Sequence, residues 1–210
     1  MNSKIYNVVI LDKSGSMTSI RKQAVDSVNE TFGCIRSMRK KNAEQEQFVT
    51  LVAFCGCEQK VIYENTPIEK VNDITLADYE PCCMTPLYDA IGNVCTRLHT
   101  TIKDDASASV AVTIITDGYE NASREYSLGN VKKLIEDTSA EGWVYTFMAA
   151  NIDEHAVARD LSIKNVDSFR SDSEDFCKKS ATWNRSRKAF YSKRALGKDV
   201  SSNFFDDNYE

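Results

Sequence analysis

Short apolar runs alternate along this chain with segments in which apolar residues recur every three or four positions. The runs predict β-strands at residues 5–11, 48–54, 60–63, 110–115, 143–149 and 166–169. The three- and four-residue spacing predicts α-helices at residues 18–39, 86–102, 128–139, 154–161 and 174–191. Strands that alternate with helices are typical of an α/β fold, in which right-handed crossovers build a mostly parallel sheet.

A tight turn at residues 55–58 interrupts this alternation and joins the second and third strands as a hairpin. We therefore predict an α/β, Rossmann-like fold, with a central, mostly parallel sheet, one antiparallel edge strand and helices on both faces. The 210 residues fit one domain with a single core. We expect that domain at 1–171, a C-terminal helix packed on it at 172–198, and a flexible acidic tail at 199–210. The tail is either a frayed terminus or a docking segment that offers an acid to another copy.

Oxygen-bearing side chains follow two of the buried runs. Asp12, Ser14 and Ser16 stand at alternate positions just after the first strand, and Asp117 follows the fourth strand. Thr85 stands just ahead of the second predicted helix. Because ligands of open α/β sheets bind beyond the carboxyl ends of the strands, we expect these side chains to meet at one rim. Converging oxygen donors suit Mg²⁺ or Ca²⁺, although Ser and Asp after a strand also serve simply as helix caps and turn residues.

In this order and spacing, these residues make the chain resemble the von Willebrand factor A (VWA) domain family, whose metal-ion-dependent adhesion site (MIDAS) they match. The resemblance covers about residues 4–170. The segments 117–125 and 147–151 look more narrowly like compact, stand-alone intracellular VWA proteins of bacteria and phages, some of them associated with tellurium resistance. The resemblance implies a Rossmann-like fold and a binding role without bond breaking.

The resemblance also implies a role for each motif residue. Ser14, Ser16 and Thr85 would offer hydroxyl oxygens to Mg²⁺, with Mn²⁺ or Ca²⁺ as alternatives. Asp12 and Asp117 would bind the ion directly or through water and would orient the serine hydroxyls. An ion held by three neutral hydroxyls stays electron-poor, so it would favour an anionic sixth ligand such as an Asp or Glu of a partner protein.

The sequence departs from the family pattern at one place. Many members carry glycine just before the motif threonine, where this chain has Met84 after two cysteines. Because a bulkier residue is less able to take unusual dihedral angles, we expect a less open loop at this point.

These features favour a non-enzymatic, cytoplasmic protein-interaction module that uses a divalent cation to capture an acidic side chain of a partner. One alternative is a Mg²⁺-dependent phosphohydrolase on a similar sheet, which usually needs a nucleophilic aspartate, a second acid two residues later and a lysine. Here Ser14 replaces that second acid, and Lys13 points away by alternation. The other alternative is a scaffold with a vestigial metal site. Neither His99 nor His155 lies in a nucleophile arrangement, and no glycine-rich nucleotide loop occurs.

Charge and hydropathy narrow the partners that we expect. The net charge of −5 gives no basic surface for nucleic acid, and we interpret the local basic stretches as solvated helix faces. No apolar run approaches the roughly 18–20 residues of a membrane span, and no signal peptide is visible. We therefore expect neither a nucleic-acid nor a membrane partner, and the sequence leaves the oligomeric state open.

Seven cysteines are scattered through the predicted strands and helices, which favours a reducing compartment over a disulfide framework. Four of them fall at turns that can reach the same rim as the oxygen motif: Cys55, Cys57, Cys82 and Cys83. A Zn²⁺ site, a redox-active pair and half-buried packing residues are the three interpretations. Packing is favoured, since the Cys-x-x-Cys spacing of zinc ribbons is absent and adjacent cysteines seldom bind one ion. The other three are interpreted as packing residues on helices: Cys34, Cys95 and Cys177.

Overall fold

A single sheet of six strands carries the described part of this protein. The structure is a computed structural model, and it describes residues 3–150, 152–169, 173–195 and 204. The strands are β1 (Ser3–Asp12), β2 (Gln45–Cys55), β3 (Glu58–Pro67), β4 (Ala108–Thr116), β5 (Val144–Ala149) and β6 (Asn165–Ser168). Their order across the sheet is β3-β2-β1-β4-β5-β6, and neighbouring strands are parallel except for the hairpin pair β2 and β3.

Helices cover both faces of this sheet. Those within the described residues are α1 (Arg21–Lys41), α2 (Leu87–Ile102), α3 (Leu128–Ala140), α4 (Glu154–Asp160) and α5 (Ser173–Ala195). α1 and α5 pack together on one face, and the other three helices cover the opposite face. Because successive strand residues point to opposite faces, Val9 joins the core beneath α1 and Val8 joins the core beneath α2. Among the described helices, none combines the length and the apolar character that a bilayer crossing requires.

The predicted α/β fold, with its one antiparallel edge strand, is confirmed, and the boundaries differ mainly in two places. β3 is longer than the expected segment 60–63, because many of its residues are polar and half-exposed and the apolar pattern does not reveal them. The first helix was expected to begin near residue 18, but a 3₁₀ turn at Gly15–Ile20 comes first. That turn carries part of the candidate site.

Some sequence expectations concern residues outside the described ranges. Of the expected acidic tail at 199–210, only Phe204 is described; it is buried, and its backbone N–H donates to Asn165 Oδ1. The side chain of Cys177 also lies outside the described part.

The strand order places the carboxyl ends of β1 and β4 side by side. Leu11 pairs with Ile115 in parallel register, so Asp12 and Thr116 leave the sheet together. After β1 the chain adds β2 and β3 on one side of β1, and it then returns through α2 to β4 on the other side. The strand order therefore reverses between β1 and β4. Ligands of open α/β sheets bind where such a reversal occurs. The loops after β1 and β4 therefore form the candidate site.

Candidate metal centre

The loop after β1 is folded by the carboxylate of Asp12. This residue ends the strand and is fully buried, and its Oδ1 accepts the backbone N–H of Ser14 at 2.7 Å. Such a bond from a side chain to the backbone two residues later reverses the chain locally. The 3₁₀ turn that follows is anchored by the buried Met17. As a result the hydroxyl oxygens of Ser14 and Ser16 lie 3.1 Å apart, on the same side of the loop.

The loop after β4 is joined to this first loop by two side-chain hydrogen bonds. The hydroxyl of Ser16 donates to Asp117 Oδ1 at 2.5 Å. The hydroxyl of Thr116 donates to Asp12 Oδ2 at 2.6 Å and accepts the backbone N–H of Gly118 at 3.2 Å. Both carboxylates of the predicted motif are thus oriented by hydroxyl groups from the opposite loop.

Thr85 comes from a third loop, just before α2, and it is 3% exposed. Its backbone N–H donates to Asn121 Oδ1 at 2.8 Å, and the backbone N–H of Asn121 donates to the Thr85 carbonyl at 3.1 Å. This reciprocal pair fixes the threonine loop against the segment that follows Asp117. Asn121 was not among the predicted site residues, because its role depends on a contact between loops.

Oxygen atoms from the three loops surround one point next to Gly118. A Cβ atom at Gly118 would lie 3.2 Å from Thr85 Oγ1, 3.8 Å from Ser16 Oγ and 3.9 Å from Asp12 Oδ2. The Ser16 hydroxyl is hydrogen-bonded to the Ser14 hydroxyl and donates to Asp117 Oδ1, which brings both of these side chains to the same place. The structure therefore brings together the side chains of the predicted motif, and the absence of a side chain at Gly118 leaves room among them.

The donor set suits a hard divalent cation. Asp117 Oδ2 is buried and has no hydrogen-bond partner within the described residues. A buried carboxylate oxygen without a partner is costly, so one usually binds a hydrogen-bond donor or a metal ion. Two acidic side chains would attract a dication, and the remaining donors are hydroxyl oxygens, which Mg²⁺ and Ca²⁺ accept. The nearby Lys13 ammonium pairs with Glu58 of β3.

Both carboxylic acids are harder to ionise here than in water. Burial raises the pKa of Asp12 to about 6, although the hydrogen bonds from Thr116 and from the Ser14 N–H act in the opposite direction. Burial also raises the pKa of Asp117, opposed by the hydrogen bond from Ser16. Desolvation dominates both shifts, and a cation bound between the two carboxylates would offset it.

Tyr79 holds the backbone of Asp12, a residue of the candidate site, in place. Its side chain is fully buried, and its hydroxyl donates to the backbone carbonyl of Asp12 at 2.6 Å. Burial raises the pKa of Tyr79 well above its ordinary value, so the hydroxyl stays protonated and remains a donor. The Arg21 guanidinium in turn donates to the Tyr79 carbonyl at 2.8 Å. Tyr79 lies in an irregular segment whose sequence carries no periodic signal, and sequence reasoning did not find it.

Two further acids tie the segment after Asp117 to the start of α2. Glu120 accepts backbone N–H groups of Tyr88, Ala122 and Ser123 at 2.7–2.9 Å. Asp89 accepts three more at 2.8–2.9 Å, from Arg124, Glu125 and Tyr126. These carboxylates accept hydrogen bonds from backbone N–H groups that would otherwise lack an acceptor at the helix start and in the loop. The segment after Asp117 is consequently tied to the first turn of α2, which directly follows the threonine loop.

The loop before Thr85 does adopt an unusual backbone conformation, despite its lack of glycine. Cys83 has a φ angle of 66°, in the left-handed region, and Met84 is exposed. Met84, which stands where many VWA domains have glycine, predicts a less open loop. The left-handed residue is instead the cysteine before it, which allows the chain to turn while Met84 points to solvent.

Comparison with known proteins identifies the fold. No protein-family model and no curated protein matches the chain. A von Willebrand factor type A protein from Catenulispora acidiphila is similar in structure, with a TM-score of 0.57 and 14% identity over 86% of this chain and 42% of that one. The vWF domain of the type V pili tip protein Mfa5 from Porphyromonas gingivalis is also similar, with a TM-score of 0.59 and 8% identity over 94% of this chain and 97% of that one. The manganese-loaded TRAP protein of Plasmodium vivax has a TM-score of 0.54 and 13% identity over 86% of this chain and 72% of that one.

Several of the similar structures belong to longer proteins, of which this chain spans less than two thirds. At these sequence identities the likeness is one of fold. The chain therefore has a VWA-like fold, as its motif implied, with its candidate site at the carboxyl end of the central strands.

Proposed function

We propose that this chain is a protein-interaction module whose VWA-like domain holds a divalent cation and uses it to capture an acidic side chain of a partner protein. The cation would be Mg²⁺, with Mn²⁺ or Ca²⁺ as alternatives, and its ligands would be Asp12, Ser14, Ser16, Thr85 and Asp117. The observation that carries the proposal is the unpaired, buried Asp117 Oδ2 beside the hydroxyl oxygens of the other loops. Neighbours of the same fold include a manganese-loaded protein and a pili tip protein, which supports the proposal.

The chemistry of the ligands explains why the partner would be acidic. Ser14, Ser16 and Thr85 contribute neutral oxygens, so a bound dication would keep much of its charge. Mg²⁺ favours six oxygen ligands and retains water readily, which leaves a position that a carboxylate can take by displacing water. An Asp or Glu side chain of the partner would thus complete the coordination and neutralise the ion. The chain's own residues would hold and orient the cation without any bond breaking.

The proposed cellular setting is the cytoplasm of a bacterium or the host cell of a phage. The six cysteines whose side chains are described are free thiols, which suits a reducing compartment. The phosphohydrolase alternative has less support, because the Lys13 ammonium pairs with Glu58 and Ser14 stands where a second acid would be needed. A scaffold with a vestigial site would not require the open carboxylate oxygen of Asp117.

Two measurements test this proposal. Isothermal titration with Mn²⁺ should show one binding event for the wild-type chain and none for Asp12→Ala or Asp117→Ala. Immobilised wild-type protein should then capture a partner from native cytosol in Mg²⁺ and release it in EDTA. Asp104→Asn is the matched control, since Asp104 is an exposed acid at the opposite end of the sheet. Equal capture by the two Ala variants, or capture that EDTA does not disturb, would contradict the proposal.

A further inference from the structure

A cluster of four cysteines lies beside the oxygen site, at the meeting of two turns. Cys55 and Cys57 flank the β2–β3 turn, and Cys82 and Cys83 precede Thr85. The sulfur atoms of Cys57, Cys82 and Cys83 all lie within 4.8 Å of one another. Cys57 Sγ is 2.7 Å from Cys83 Sγ, and Cys55 Sγ is 3.5 Å from Cys82 Sγ.

We propose that these thiols form a second metal site, which binds Zn²⁺ through Cys57, Cys82 and Cys83, with Cys55 placed for the fourth position. A tetrahedral zinc ion with Zn–S bonds of about 2.3 Å holds its sulfur ligands about 3.8 Å apart. Two of the observed separations, 2.7 Å and 3.5 Å, are shorter than that value, and the sulfur atoms of Cys57, Cys82 and Cys83 all lie within 4.8 Å of one another. Small side-chain movements are therefore enough to form the site.

The backbone explains how two adjacent cysteines can serve one ion. In extended chain, neighbouring side chains point to opposite sides, so an adjacent pair would normally diverge. The left-handed conformation of Cys83, with φ of 66°, breaks this alternation and brings its sulfur to the same side as that of Cys82. This backbone conformation removes the geometric obstacle to binding of one ion by two adjacent cysteines.

Hydrogen bonds that do not involve any metal hold the two turns in place. The Cys82 N–H donates to the Lys13 carbonyl at 2.8 Å, and the Gly15 N–H donates to the Cys83 carbonyl at 3.1 Å. The Gly56 N–H donates to the Met84 carbonyl at 2.8 Å. A Cβ atom at Gly56 would approach the Met84 nitrogen to 3.2 Å, so glycine allows this close contact. The ligands are thus preorganised before an ion binds.

Exposure also favours a metal site over simple packing. Cys57 and Cys83 are exposed and Cys82 is half-buried, whereas Cys55, like the packing cysteines Cys34 and Cys95, is buried. A groove of about 480 Å³ opens beside Cys57 and Cys83 and gives an ion access to them. Soft thiolates select Zn²⁺ over Mg²⁺, while the oxygen site next to them makes the opposite selection. The two sites would therefore hold different ions side by side.

The test begins with the full chain purified without oxygen and in the presence of a thiol reductant. Elemental analysis should find about one zinc ion per chain. After replacement by Co²⁺, the absorption spectrum should show thiolate-to-cobalt charge transfer and the bands of tetrahedral cobalt. Cys57→Ser and Cys83→Ser should lose at least nine tenths of the zinc and these bands. Cys34→Ser removes a thiol elsewhere in the fold and should keep both.

Asp12→Ala leaves the four thiols in place and should retain zinc, so this proposal and the proposed function can fail independently. The cobalt spectrum of the wild-type chain tests the site even if a cysteine variant does not fold. A reduced wild-type chain that takes up neither zinc nor cobalt through its thiols would overturn the proposal. A disulfide between Cys57 and Cys83 in the anaerobically purified protein, or full zinc content in Cys57→Ser, would overturn it as well.

Discussion

The hydroxyl of Thr116 donates a hydrogen bond to Asp12 Oδ2 at 2.6 Å, between residues 104 positions apart in the chain. Thr116 ends β4 and Asp12 ends β1, so the parallel register of these strands creates the contact. The bond fixes the orientation of a buried carboxylate that we propose as a metal ligand. It also lowers the pKa of Asp12 against the effect of burial.

Replacing Thr116 should therefore weaken cation binding. Thr116→Val keeps the shape of the side chain but removes the donor. We expect Mn²⁺ affinity at pH 7 to fall by about 10- to 100-fold, the usual cost of losing a group that orients a metal ligand. Calorimetric titration measures this, with the exposed Thr101→Val on α2 as the matched control. Unchanged Mn²⁺ affinity in Thr116→Val would show that the orientation of Asp12 does not matter for binding.

Cation binding should depend on pH in the weakly acidic range. Burial raises the pKa of Asp12 to about 6 and also raises that of Asp117. Protons then compete with the metal as the pH falls through about 6, because the ligand must be ionised. The rise in melting temperature caused by saturating Mg²⁺ at pH 7.5 should shrink strongly by pH 5. A rise of the same size at both values would contradict ligation by these carboxylates.

The same shift predicts that Asp12 destabilises the metal-free fold at neutral pH. Folding raises its pKa from about 3.8 to about 6, so its favourable contribution is complete below about pH 4 and is lost as the pH rises through 6. The resulting cost at pH 7 is on the order of 3 kcal/mol. Asp12→Asn should therefore be more stable than the wild type in EDTA at pH 7.5.

Urea unfolding at pH 7.5 and pH 4 measures this difference. The advantage of Asp12→Asn should disappear at pH 4, and Mg²⁺ should not stabilise the variant. Asp104→Asn, which replaces an exposed acid, should behave like the wild type at both pH values. A variant less stable than the wild type at pH 7.5 would mean that the carboxylate makes favourable contacts that outweigh its burial.

Gly92 allows Tyr126 to lie against α2. A Cβ atom at Gly92 would lie 2.4 Å from two ring atoms of Tyr126, which is too close for any side chain. We expect Gly92→Ala to lower the free energy of unfolding by about 1–3 kcal/mol, as overpacking usually does. It should also loosen the loop that Asp89 holds. Gly33→Ala in α1 is the control, because nothing lies within 4 Å of its Cβ position.

For Gly33→Ala we expect a gain of about 0.5–1 kcal/mol, since alanine favours a helix over glycine. Thermal or urea unfolding of the two variants gives the comparison directly. Equal stabilisation by both substitutions would show that Tyr126 can move away from α2 without cost.

The strands and helices with a periodic apolar pattern could be predicted from the sequence, with boundaries close to those observed. β1 and β4 are buried on both faces, so their apolar runs are continuous, and α2 carries its apolar residues on one side. β3 was too short in the prediction, because an edge strand with half-exposed polar residues lacks such a run. Local patterning therefore reveals an element only where burial imposes a period on it.

The sequence by itself determined the alternation of strands and helices and showed the oxygen-bearing residues from Asp12 to Asp117, because each strand, helix and motif segment is a local pattern. Only the tertiary structure decided which other residues complete the site. Thr116, Tyr79 and Asn121 act through contacts with distant loops, and the cysteine cluster forms because one left-handed residue turns two sulfur atoms to the same side. Such contacts depend on strand register and loop closure, which no local pattern of polar and apolar residues encodes.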